Sequence, residues 1–268
     1  MDTTVLINNL WNEYLKITPS VQKIHDLFSE DGEFKNDHIA LRTFNDSRIC
    51  LDVVAKSFLA CGYEEVESYR FPEKKLRAKH YRNFKNDNAP LVFISELLLE
   101  ECSPELEQVI NTALNSVEPS VFKKDIAILG RLWEDVSFEL YQQLRTESEY
   151  AAWTYVYGVC ANHFTVLVNS LNQFETIQDV NGFVKDSGFK LNISGGEIKG
   201  TPEGLLEQSS TLADMQDMKF KEGVYSIPTC FYEFARRYKS ETGELFLGFH
   251  ADSANKIFES TDLELQLN

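Results

Sequence analysis

Two histidines occupy similar settings in this chain. His38 lies in NDHIALRTF (36–44) and His163 in NHFTVLVN (162–169). Both stretches alternate as strands do, and alternate strand residues share a face. His38, Ala40 and Arg42 therefore point one way, as do His163, Thr165 and Leu167. Imidazole is the commonest metal ligand among side chains. Two imidazoles and one carboxylate on one side of a metal make the facial set of non-haem Fe(II) oxygenases, with three positions left open for substrate and dioxygen. The same donors suit Mn, Co, Ni or Zn, so the ligands alone leave the metal undecided. Two glutamates compete for the carboxylate position, Glu233 in FYEFARRY and Glu96 in PLVFISEL. His80, in the basic run LRAKHYR, and His250, in GFHADSA, are rival ligands. His80 is expected to face solvent or an anion, and His250 to lie in a loop.

Arg42 adds a handle for substrate. It follows His38 by four positions, about 13 Å at Cα for a rise near 3.3 Å per residue. A guanidinium fork binds a carboxylate through two parallel hydrogen bonds. A dicarboxylic acid of five or six carbons would place one end at the metal and the other near Arg42. Other chemistries find no foothold. The chain has no GxSxG nucleophile elbow, no GxGxxG and no GxxxxGK[ST]. SGGEIKG has the wrong spacing for a phosphate cradle, and Cys160 sits three residues before His163, on the opposite strand face.

The elements that must position these side chains repeat. Leu6, Leu10, Tyr14 and Ile17 fall on one helical face. Thr18-Pro19 marks a break and a restart, with Thr18 able to cap and Pro19 suited to the first turn. Val21, Ile24 and Phe28 continue the apolar face. After the first strand, Asp46 or Ser47 can cap a helix through Cys50, Val54, Phe58 and Cys61, which Gly62 closes. GYEEVESYRF, LRAKHYRNF (76–84) and PLVFISEL (90–97) read as extended, and residues 103–150 carry helical patterns such as SPELEQVINTAL and EDVSFELYQQL. At His163 the pattern restarts. A strand leads to a helix marked by Ile177, Val180 and Val184, then Gly188, the extended GFKLNIS and the turn-rich SGGEIKGTPEG. VYSIPTCFYEFARRY (224–238) reads as the last strand.

His38 to Gly62 spans 24 residues and His163 to Gly188 spans 25. A repeat of this length, residues 38 to 163, is too long for a solenoid. It predicts an α+β protein of two βαβββ modules side by side, forming a half-open barrel, with additional helices at the N-terminus and between the modules. The expected divisions of a single metalloenzyme domain are N-terminal helices over 1–35, a first module over 36–100, a helical insert over 101–158, a second module over 159–250 and a tail over 251–268. Modules packed about a pseudo-twofold axis would face His38 towards His163 across the concave side.

The bulk numbers narrow the partners. The 268 residues are 43% apolar, enough for a substantial core. A net charge of −16, from 42 acidic and 26 basic residues, argues against nucleic acid or an anionic membrane surface as partner. MDTTVLINNL does not read as a signal peptide, and no run of 18 apolar residues follows. Five cysteines without CxxC spacing suit free thiols in a reducing cytosol, so a cytoplasmic location is expected. The oligomeric state stays open.

The chain resembles the 2-oxoadipate dioxygenase/decarboxylase (hydroxyglutarate synthase) family over most of its length. DHIALRTF, NHFTVLVN, LLEQSSTLAD (205–214) and FYEFARR (231–237), in that order, carry the resemblance. It implies a vicinal oxygen chelate fold, with Fe(II) held by His38, His163 and Glu233 and with Arg42 on a substrate carboxylate. It favours Glu233 over Glu96. The reaction implied converts 2-oxoadipate and dioxygen to 2-hydroxyglutarate and carbon dioxide, a step in lysine breakdown in which the substrate is its own reductant. The chain is shorter than the long members of that family. Gln208, Ser209, Ser210 and Thr211 are polar candidates for the pocket, or else form a tight turn. Two rival readings are an oxygen-independent metal-dependent hydrolase, lyase or isomerase on the same fold, and a non-catalytic small-molecule binding module.

Overall fold

The computed structural model of the protein describes residues 2–29 and 34–262. The chain opens with α1 (Thr3–Ile17) and α2 (Ser20–Ser29), whose apolar stripes bury Leu6, Leu10 and Tyr14, then Val21, Ile24 and Phe28. The helical spacing of those residues predicts this burial. Thr18 ends α1, but its hydroxyl does not cap α2. It accepts a hydrogen bond from the Cys230 N–H at 3.0 Å, a use set by a distant strand.

The first repeat unit is β1 (Asn36–Phe44), α3 (Leu51–Ala60), β2 (Glu64–Phe71), β3 (Leu76–Arg82) and β4 (Leu91–Leu97). Helices α4 (Pro104–Asn115), α5 (Phe138–Glu147) and α6 (Glu149–Tyr157) follow. The second unit is β5 (Cys160–Leu167), α7 (Ile177–Asp186), β6 (Lys199–Thr201) and β7 (Leu206–Ser210), then a hairpin of β8 (Met215–Phe220) and β9 (Gly223–Pro228), and finally β10 (Phe231–Arg237). Helix α8 (Ala251–Phe258) lies in what the sequence suggests is a tail.

Eight strands form one sheet in the order β2-β3-β4-β1-β5-β10-β7-β6. Within each unit the first strand pairs parallel with the last, β1 with β4 and β5 with β10. The units join through the antiparallel pair β1–β5. Read outward from that seam, both sides run first, last, third, second. This is the paired βαβββ arrangement that the repeat predicts. Gly62 and Gly188 close the equivalent helices α3 and α7 at φ +90° and +89°, a left-handed conformation that strains any side chain.

One face of the sheet is covered by helices. Trp11 and Tyr14 of α1 pack on Phe164 with ring centroids 5.0 and 5.1 Å apart, and Phe28 of α2 meets Phe234 at 5.3 Å. The other face curls round a cavity lined from five strands by His38, Phe93, His163, Gln208 and Glu233, and α8 roofs it with Ala254, Ile257 and Phe258. Among the described residues no helix is long and apolar enough to cross a membrane. Cys50, Cys102, Cys160 and Cys230 are free thiols.

Several local readings change. VYSIPTCFYEFARRY is not one strand: the chain leaves the hairpin at Pro228 and enters the main sheet at Phe231. LLEQSSTLAD contains the buried strand β7 rather than a turn. GFKLNIS makes only an isolated bridge, Leu191 to Thr211. Neither Asp46 nor Ser47 caps α3. Asp46 is taken by the Arg48 guanidinium at 2.8 Å, and the Leu51 N–H donates to Glu96 Oε2 at 2.7 Å. Glu96 thus serves the start of a helix and an ion pair with Arg77. Truncating it leaves a buried donor unpaired, which costs about 1–3 kcal/mol. Glu96→Ala is expected to lower the chemical-denaturation stability by that amount and to leave divalent-metal binding, read by titration, unchanged.

Candidate metal centre

The seam between the two units builds the site. Ala40 of β1 pairs with His163 of β5, so His38 and His163 stand on adjacent central strands. Strand β10 runs parallel beside β5 and sets Glu233 opposite Thr165. The inward face of each strand then carries one donor. His38 Nε2 and His163 Nε2 are 3.4 Å apart. Glu233 Oε2 is 2.9 Å from His163 Nε2 and 3.7 Å from His38 Nε2. All three side chains are buried, at 2%, 4% and 0% exposure.

The rear contacts decide which atoms are available. His38 Nδ1 bonds to Asp37 Oδ1 at 2.7 Å, and His163 Nδ1 to Asn162 Oδ1 at 3.1 Å. Both acceptors require a proton on Nδ1, which makes Nε2 the inward-facing atom of each ring. Gln208 Nε2 donates to Glu233 Oε1 at 2.6 Å and leaves Oε2, which has no hydrogen-bond partner, turned towards the imidazoles. Ligand atoms about 2.1 Å from one cation and at right angles to each other lie about 3 Å apart. The three separations fit a single divalent cation, and the three atoms lie within 4.8 Å of one another.

The electrostatics agree. Burial alone would push the Glu233 carboxyl up, but the two imidazoles outweigh it and hold the group well below the usual carboxylate range. Burial also works against a charged His38, yet Glu233 and Asp37 together raise it to about 9. His163 moves down, because burial dominates over the same glutamate. The field that raises His38 would equally hold a divalent cation in the proton's place.

The other candidates are sorted by strand face. On β4 the residue in register with Ala40 is Phe93, while Glu96 pairs with Thr43 and points to α3. The first-unit counterpart of Glu233 is therefore an aromatic ring, and Glu96 is not a ligand candidate here. His80 does not face solvent. It is buried, its Nδ1 is 2.8 Å from the Tyr69 hydroxyl, and its ring lies 5.3 Å from Phe249. His250 immediately precedes α8, with Nε2 2.6 Å from the Gly204 carbonyl. Of the polar run in β7 only Gln208 reaches the site. Ser209 bonds Asn181, Ser210 meets Ser260, and Thr211 accepts from Tyr232 N–H.

Arg42 lies on the His38 face, 1% exposed, with Cζ about 5 Å from the Tyr150 and Trp153 rings. It donates to Thr261 Oγ1 and the Phe258 carbonyl at 3.1 and 3.3 Å, and its Nε has no partner. Residue pattern does not single out Asp37, Arg237 or Phe249. The available signal is an Asp or Asn just before each histidine. The space left beside the triad is about 20 Å³, room for about one water, so a larger ligand requires Phe249 or α8 to shift.

Paired βαβββ units with an inward-facing His/His/Glu set define a vicinal oxygen chelate protein with a metal-type site. A family profile described as 2-oxoadipate dioxygenase/decarboxylase matches residues 4–132 and 125–245. The chain belongs to that family. The chloroplastic/amyloplastic 2-oxoadipate dioxygenase/decarboxylase of Oryza sativa is 38% identical over 96% of this chain and 78% of its own length. The crystal structure of hydroxyglutarate synthase from Oryza sativa in complex with 2-oxoadipate superposes with a TM-score of 0.91 at 36% identity, covering 98% of this chain and 93% of that one. A structure from Shewanella frigidimarina with a provisional hydrolase label is 49% identical, with a TM-score of 0.88 over 93% and 98% of the two chains.

His80 yields a pH dependence. Burial lowers it to about 4, against about 6.5 in an unfolded chain. Between those values the unfolded state binds a proton that the folded state refuses, so this contribution to stability is lost as pH falls from 6.5 towards 4. His80→Gln is expected to flatten that part of the stability–pH curve, measured by urea midpoints at half-unit intervals. Parallel curves for the two proteins would refute the assignment.

Proposed function

We propose that this protein is an Fe(II)-dependent dioxygenase that converts 2-oxoadipate and dioxygen to 2-hydroxyglutarate and carbon dioxide. The observation that carries the reading is the buried convergence of His38, His163 and Glu233 in a chain of this family. Bound Fe(II) would supply oxygen activation and polarise the 2-oxo acid. The atoms balance without a second organic substrate: six carbons divide into five and one, and the acid itself is the reductant.

The chain's own residues have three roles. His38, His163 and Glu233 would hold one face of the metal and leave the opposite face for ligands. Arg42 would bind the distal carboxylate. Its guanidinium is buried among aromatic rings, and its hydrogen bonds to Thr261 and Phe258 go to a neutral hydroxyl and a carbonyl. Burial lowers its pKa, with Tyr150 and then Asp262 opposing. A substrate anion placed there gains a charge-assisted, bidentate contact in a dry setting. Phe249 and α8 would draw back to admit the acid and then exclude water from the bound state. The thiols of Cys50, Cys102, Cys160 and Cys230 suit a reducing compartment, and the protein would act in the cytoplasm.

Iron-loaded protein is expected to consume oxygen with 2-oxoadipate in preference to 2-oxo monoacids, measured with an oxygen electrode. Turnover of the same substrate under strict anaerobiosis would sink the oxygenase reading. Arg42→Ala is expected to weaken diacid substrates by at least about tenfold in kcat/KM and monoacids far less, in line with about 1.5–3 kcal/mol for a hydrogen bond to a charged group. His38→Ala, His163→Ala and Glu233→Ala are each expected to lose stoichiometric metal by elemental analysis. Full metal content in all three would leave the binding-module reading in its place.

A further inference from the structure

Two arginines stand four residues after a ligand on an inward strand face: Arg42 after His38 on β1, and Arg237 after Glu233 on β10. Their partners differ. Arg42 bonds to neutral oxygens. Arg237 is committed to a buried carboxylate: its Nε and Nη2 donate to Asp37 Oδ2 and Oδ1 at 2.5 and 2.9 Å. That carboxylate in turn accepts from His38 Nδ1 at 2.7 Å. Asp37 is 6% and Arg237 2% exposed.

We infer that Asp37 and Arg237 are positioning residues for the metal centre: they orient His38, strengthen it as a donor, and tie it to the pocket wall. The inference rests on the metal-centre reading above. A carboxylate behind Nδ1–H fixes the tautomer and raises the basicity of Nε2. Arg237 is what lets that carboxylate stay ionised in a buried place, because an unpaired buried charge is strongly disfavoured. The remaining guanidinium nitrogen, Nη1, donates to the carbonyls of Phe246 and Gly248, both at 2.9 Å. Those bonds set the next residue, Phe249, whose ring lies 5.2 Å from Arg237 Cζ and 4.9 Å from the His38 ring. One guanidinium therefore holds the rear of a ligand and the wall beside it.

The two imidazoles are inequivalent as a result. His163 is backed by the neutral amide of Asn162, whose Nδ2 has no partner. Asp37 supplies charge as well as geometry, and Asn162 geometry alone. The pairing also gives the two arginines different roles. Arg237 is already neutralised by Asp37, which leaves Arg42 as the guanidinium suited to a substrate anion.

Co(II) binding to the purified full chain tests this, by chelator competition for affinity and by the visible d–d band for ligand geometry. Asp37→Asn keeps an acceptor of the same shape and removes the charge. It is expected to weaken Co(II) binding about 10–100-fold and to shift the band. Should Asp37→Asn not fold, Asp37→Asn/Arg237→Gln removes both charges together and is expected to show the same loss. Wild-type affinity and an unmoved band in the folded variant, while His38→Ala no longer binds, would overturn the positioning role alone. Normal binding by His38→Ala would overturn the metal-centre reading with it.

Discussion

A buried charge must be compensated, and most of this site follows from that constraint. The carboxylates of Asp37 and Glu233 are both buried, at 6% and 0% exposure. Burial works against an ionised Asp37, but the Arg237 guanidinium and His38 outweigh it and hold the carboxyl down to about 2. Among the described residues, the polar groups in contact with the Glu233 carboxylate are the two imidazoles and the Gln208 amide. Its inward oxygen without a hydrogen bond, beside two inward Nε2 atoms, is the arrangement that a divalent cation satisfies in place of a proton. Around it the rear contacts are neutral or already paired, so the unmet demand for positive charge lies at one point.

The duplicated architecture makes that point possible. A parallel pair of first and last strands within each unit, and an antiparallel seam between units, bring two distant segments side by side at the middle of the sheet. Symmetry supplies the two histidines. Asymmetry supplies the rest. The position that holds Glu233 in the second unit holds Phe93 in the first, so the cavity has a charged side and an aromatic side. Phe249 and the apolar residues of α8 complete that aromatic side, and the low dielectric they create strengthens every contact within.

Arg42 and Glu96 show how one residue pattern divides into different roles. Both are charged residues on buried central strands. Arg42 shares the face of His38 and lies over aromatic rings near the cavity. Glu96 lies on the other face, where it accepts from the first N–H of α3 and pairs with Arg77. A difference of one residue in strand register separates a candidate binding group from a structural one.

The sequence by itself determined the repeat, the strands bearing His38 and His163, their shared inward faces and the glycines that close α3 and α7. These depend on alternation, periodicity and φ > 0, which are local properties of the chain. Tertiary structure alone decided three things. Composition matched Glu96 to Glu233, because each unit ends in an aromatic-rich strand bearing a glutamate, and only strand register corrects the match. His80 lies in a basic run that reads as exposed, yet Phe249, far along the chain, buries it. The relay from Arg237 through Asp37 to His38 crosses 200 residues of sequence: alternation puts Arg237 on the face of Glu233, but nothing local shows which carboxylate it meets. Pattern within a strand is set by its own pleat, whereas which charges become partners depends on which strands the sheet places side by side.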